Sequence, residues 1–143
     1  MTVIEYLSRP EMIRREIARK TMRVETLRRY AERLTAPMRE VRVRSTPDPA
    51  RMQAFLSEAA DEEKAIAGLQ LELDRVLDET AFYLSFLTQP QIMQIMEFRY
   101  LEGMDWGEIA LQTGYYLSSV YRIHRQALNM LPPPPEVPEG NLP

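Results

Sequence analysis

Apolar residues recur along this chain with helical rhythm, first in two long seams and then in a series of short stripes. From Ile13 the spacing is heptad, with Ile13, Leu27 and Leu34 on one line, interrupted by Lys20, and Ile17, Val24 and Ala31 on the other. A second seam carries Met52, Ala59, Ile66, Leu73 and Leu87 on one line and Phe55, Leu69, Val76 and Tyr83 on the other. Such seams predict two long, coiled-coil-like helices packed face to face. Ser8 and Glu11, flanking Pro10, read as a capping box for the first, with residues 2–7 as a separate short turn. Asp48-Pro49 opens the second, which at some 35 residues is about 50 Å long. Between them, A-P-M-R-E-V-R-V-R-S-T-P-D-P holds three prolines and continues neither helix, so it is expected to return the chain antiparallel.

Beyond residue 88 the stripes shorten. Pro90 suits the first turn of a helix carrying Ile92, Ile95, Met96 and Arg99-Tyr100-Leu101, which Gly103 ends. Asp105 and Glu108 form an acidic capping box that starts another helix at Trp106. A third runs from about Leu117 to Leu131. In the window opened by Trp106, Ala110 is small where two helices would approach, Gly114 can take positive φ in the turn, and Val120 and Ile123 are apolar on the second helix. A helix-turn-helix needs those residue types at that spacing. Ile92, Ile95, Trp106, Ile109, Val120, Ile123 and Leu128 are the predicted core.

The run F-R-Y-L-E-G-M-D-W-G-E-I-A-L-Q-T-G-Y-Y-L-S-S-V-Y-R-I-H-R-Q-A-L, residues 98–128, resembles region 4 of bacterial sigma factors. More broadly, the chain is similar to short phage and prophage proteins with a helical N-terminal half and a sigma-region-4-like C-terminal half, related to phage late-gene transcriptional activators and the autolysin regulatory protein group. The resemblance implies DNA binding and transcription regulation. One position departs from the pattern: Tyr116 stands where such motifs carry a capping Ser or Thr, leaving Ser118 as the next candidate cap.

Length and composition accommodate one domain or two small ones. The expected fold is all-α, with an antiparallel helical hairpin over 1–88, a three-helix sigma-region-4-like helix-turn-helix domain over 89–131 and a disordered Pro-rich tail over 132–143. There is no cysteine, hence no disulfide framework, and neither a secretory signal nor a spanning segment is evident, so a cytoplasmic location is expected. Net charge is −3, but its distribution is uneven. Residues 1–50 carry twelve Lys/Arg against seven Asp/Glu, and 51–90 carry three against eight. The basic face of Arg14, Arg15, Arg19, Lys20, Arg23, Arg28, Arg29 and Arg33 is therefore expected to meet the acids of the second long helix. A two-helix hairpin leaves apolar edges uncovered, so a homodimer through this hairpin is expected.

No pattern for catalysis, cofactor or metal binding is present, and His124 is the only histidine, expected as a packing or phosphate-side residue. The favoured function is a dimeric, sequence-specific DNA-binding regulator of phage type that reads the major groove of double-stranded DNA with the helix from about Leu117. By helical phase Leu117, Ser118, Tyr121, Arg122 and Arg125 face outward, with Tyr116 and Ser119 at the margin. Arg39, Arg42, Arg44 and His124 are candidate phosphate contacts. Two alternatives stand beside this. One is a protein-interaction module docking on RNA polymerase, which the near-neutral C-terminal unit favours. The other is a phage DNA-packaging recognition subunit.

Overall fold

A computed structural model describes residues 1–35 and 48–137. The chain is all-helical there, with no strand among the described residues. Six helices follow in order: α1 (Val3–Leu7), α2 (Arg9–Thr35), α3 (Pro49–Leu84), α4 (Pro90–Tyr100), α5 (Trp106–Thr113) and α6 (Leu117–Met130). No helix among the described residues is long and apolar enough to cross a membrane.

Start and stop chemistry sets these bounds. The first capping box lies at Thr2 and Glu5, where the Thr2 hydroxyl accepts from the Glu5 amide and the Glu5 carboxylate accepts from the Thr2 amide. The box expected at Ser8 and Glu11 thus has a counterpart one short helix earlier, and Ser8 serves as the C-cap of α1. Asp48 accepts from the Arg51 amide at 3.0 Å and opens α3. Gly103, at φ 71°, turns the chain after α4. The positive φ requires glycine there, and a Cβ would also displace the tip of Arg14, whose Nη1 lies 2.9 Å away.

The chain forms two compact units, Met1–Arg14 with Glu72–Pro143, and Arg15–Leu71. They do not follow the expected division at residue 88. In the first unit, Tyr6 and Leu7 of α1 and Tyr83, Leu84 and Leu87 at the end of α3 join Ile92, Ile95, Met96, Tyr100, Ile109, Val120, Ile123, Ala127 and Leu131 in one core. The physical reason is size. Three short helices alone fall near the ~40 residues below which a chain rarely closes a core, and the added residues supply the missing wall. The segment after α6 was expected to be disordered from 132. Instead its described part is held at both ends: the Tyr83 hydroxyl donates to the Pro132 carbonyl, and Val137 packs on the core.

The second unit has a thin core of Val24, Leu27 and Ala59, with Phe55 and Ile66 half-buried beside it. Charge pairs flank it. Lys20 binds Glu62 at 3.2 Å, Arg23 binds Glu58 at 2.9 Å and Arg28 binds Glu63, as the opposite charges of the two segments lead one to expect. These pairs are largely exposed and contribute about 0–1 kcal/mol each.

Candidate nucleic-acid interface

The α5–α6 segment begins at Asp105, whose carboxylate accepts from the Glu108 amide at 2.8 Å and caps α5. That hydrogen bond holds the Asp105 carboxyl below its ordinary range, while the side-chain hydrogen bond with Asp105 raises that of Glu108. Gly114 ends α5 at φ 75° and donates its amide to the Ala110 carbonyl at 2.9 Å. A residue with a Cβ rarely adopts this left-handed conformation, which is why glycine occupies the turn. Helix α6 then starts at Tyr116, in extended backbone with no side-chain cap hydrogen bond. Neither a Ser or Thr cap nor a shift of the cap to Ser118 occurs, and the helix start rests on its packing instead.

That packing fixes which face of α6 is free. Val120, Ile123 and Ala127 are buried and form the inner stripe, with Leu128 packed partly against it. Ile109 of α5 and Ile92, Ile95 and Met96 of α4 belong to the same core. Burying each such Val or Ile contributes about 1.5–3 kcal/mol, more than any single polar contact here. Leu117, Ser118, Tyr121, Arg122 and Arg125 lie on the exposed side, as helical phase predicts, together with Gln126 and Asn129. Ser119 is half-buried at the margin. Tyr116 is far from marginal, at 84% exposed. Neither Arg122 nor Arg125 forms an ion pair among the described residues. Arg39, Arg42 and Arg44 lie outside the described residues.

His124 sits elsewhere than a phosphate contact would. Its ring is half-buried, 4.5 Å from the Trp106 ring and stacked at 5.8 Å on Tyr100, whose hydroxyl lies 2.6 Å from Nε2. Burial, then the nearby Arg99 and Arg125 charges, push its pKa down to about 4. Burial pushes the Tyr100 hydroxyl up to about 12, so a protonated Tyr100 and a neutral imidazole share one hydrogen bond, whose donor is set by the imidazole tautomer. A neutral ring wedged between aromatic neighbours serves as a packing residue. Arg99 belongs to the same cluster, with its guanidinium 4.6 Å from the Trp106 ring centroid and Nη1 donating to the Met104 carbonyl at 3.1 Å.

The α4 end of the unit is tied down by the start of α2. Arg14 donates from Nη2 to the Leu101 carbonyl, which α4 leaves free at its C-terminus. Gln91 at the other end of α4 donates to the Tyr115 hydroxyl in the α5–α6 turn. Compared with protein-family models, with curated proteins and with solved structures, the chain matches none of them.

Proposed function

We propose that α5 and α6 form a helix-turn-helix, that α4–α6 are a sigma-region-4-like DNA-binding unit, and that the chain is a sequence-specific transcriptional regulator of phage type. The observation that carries this reading is the pairing of two uncompensated guanidiniums, Arg122 and Arg125, with a helix whose opposite face is locked into a core. A rigid helix presenting free Arg, Ser, Gln and Asn side chains suits base edges in the major groove, where Arg takes guanine and Gln or Asn takes adenine. The α2–α3 pair is the proposed antiparallel hairpin. Its thin core supports dimerisation, since a second copy would cover the half-buried seam residues Ile17, Leu34, Met52 and Leu69. Two copies would read half-sites at a spacing fixed by the protein.

A second reading has one observation in its favour. Leu111 is 87% exposed and Tyr116 84%, and large apolar side chains standing in water at the α5–α6 turn suit a protein surface such as RNA polymerase as well as they suit a groove. Titration of fluorescent duplex DNA from the neighbouring genome separates the two. Arg122→Ala and Arg125→Ala should each weaken specific binding by about 1–3 kcal/mol and relax preference at one base position. If both variants discriminate target from random duplex as the parent does, α6 does not read bases and the docking reading replaces this one.

A further inference from the structure

In the second unit, a cavity of about 410 Å³ is lined by Tyr30, Arg33 and Leu34 of α2 and Arg51 and Phe55 of α3. Among the described residues its walls hold two cations, two aromatic rings and no carboxylate. The contrast with the rest of the unit is informative. Lys20, Arg23 and Arg28 each meet a glutamate of α3, whereas Arg33 and Arg51 have no ion-pair partner among the described residues and rest against rings instead. The Arg33 guanidinium lies 6.0 Å from the Tyr30 centroid and that of Arg51 lies 5.6 Å from the Phe55 centroid. The two rings are 5.5 Å apart and tilted by 54°. Asp48, three residues before Arg51, is engaged with the Arg51 backbone amide as the cap of α3.

We propose that this cavity binds a nucleoside phosphate, with the phosphate oxygens taken by Arg33 and Arg51 and the sugar and base laid against Tyr30, Leu34 and Phe55. A guanidinium stacked on a ring still presents its N–H edge, and that planar fork matches phosphate oxygens. Two forks from two helices suit a tetrahedral oxyanion better than a planar carboxylate, which one fork saturates. The adjoining aromatic surface favours a flat, partly apolar body attached to the anion, and the cavity falls within the few hundred Å³ usual for such ligands. The nucleotide could be free or part of a single strand, since both present the same phosphate, sugar and base. The inference is independent of what α6 reads.

Isothermal titration of the full chain with deoxyadenosine monophosphate, inorganic phosphate and a short single-stranded oligodeoxyadenylate tests it. The monophosphate or the oligonucleotide should bind, and inorganic phosphate should bind more weakly because it leaves the rings unused. Arg33→Gln and Arg51→Gln should each weaken binding by about tenfold or more, the loss expected for a charged hydrogen bond. Both side chains are exposed, so circular dichroism of these variants should match the parent. Arg29→Gln, on the same helix but outside the cavity, should bind as the parent does. Comparable affinity for mononucleotide and oligonucleotide assigns the site to free nucleotide. Binding of the oligonucleotide alone, still lost in Arg33→Gln, assigns it to a strand. The proposal is overturned if the parent binds neither probe at millimolar concentration, or if Arg29→Gln weakens binding as much as Arg33→Gln, which would reduce the effect to general charge.

Discussion

His124 should make the first unit less stable in mild acid, by an amount and over a range that its surroundings specify. In an unfolded chain a histidine titrates near pH 6.5, whereas in the fold burial against Trp106 and Tyr100, with Arg99 and Arg125 nearby, lowers the value to about 4. Between those values the unfolded state takes up a proton that the folded state refuses. Stability is therefore full above pH 6.5, falls as the pH drops toward 4, and loses nothing more from this group once both states are protonated. The gap of about 2.5 units corresponds to about 3 kcal/mol at 1.36 kcal/mol per unit. Because the ring is only half-buried, solvent screening reduces the expected loss to about 1–2 kcal/mol. Asp105 and Glu108 are also shifted, in opposite directions, so the clean quantity is the parent compared with His124→Gln. Urea melts of both at about pH 7 and about pH 4 should show the parent losing about 1–2 kcal/mol more than the variant. As the only histidine in the chain, His124 also gives a single imidazole resonance. A midpoint near 6.5 in the folded protein, or equal acid losses in parent and variant, would refute the buried, neutral assignment.

Other expectations rest on single features. Gly103→Ala should destabilise the first unit by about 1–2 kcal/mol in thermal or urea melts, since alanine is strained at positive φ and its Cβ would meet Arg14 at 2.9 Å; an unchanged melt means the turn after α4 is differently built. Arg9 is 1% exposed, with Nε donating to the Tyr6 carbonyl, Nη1 3.4 Å from Glu79 and Nη2 without a hydrogen-bond partner among the described residues. Glu79 keeps Arg75 as a second partner, so Arg9→Met should be neutral within about 1 kcal/mol or stabilising, and a loss of several kcal/mol by urea melt would show that the guanidinium is fully satisfied. Light scattering of the full chain at micromolar concentration should give twice the mass of one chain, and a monomer under those conditions sinks the proposed dimer.

Local chemistry in the sequence located the elements with good accuracy where a polar side chain or a glycine marks the boundary. Asp105, Gly114 and Asp48 each act on the backbone within a few residues of themselves, and the helices they delimit, α5 and α3, have the expected bounds. The outward face of α6 was legible for the same kind of reason, because a period of 3.6 residues places Ser118, Arg122 and Arg125 opposite Val120 and Ile123. What was not legible depends on contacts between residues far apart in the chain. Nothing near Tyr6 or Leu7 announces that they pack in one core with Ile109 and Val120, although the T-V-I-E box before them gave a sign of an ordered N-terminus. Ala127 is fully buried, yet an alanine adds little to any apolar pattern, and the contact of Arg99 with Trp106 appears only once both helices are placed. The Pro run after Leu131 masked a docked segment, since proline removes donors and periodicity without removing apolar surface, and Tyr83 and Val137 use what remains. The same limit governs the candidate sites. Arg122 and Arg125 could be nominated from one helix, whereas Arg33 and Arg51 acquire meaning only when two helices bring their rings to 5.5 Å and leave both guanidiniums without an ion-pair partner among the described residues.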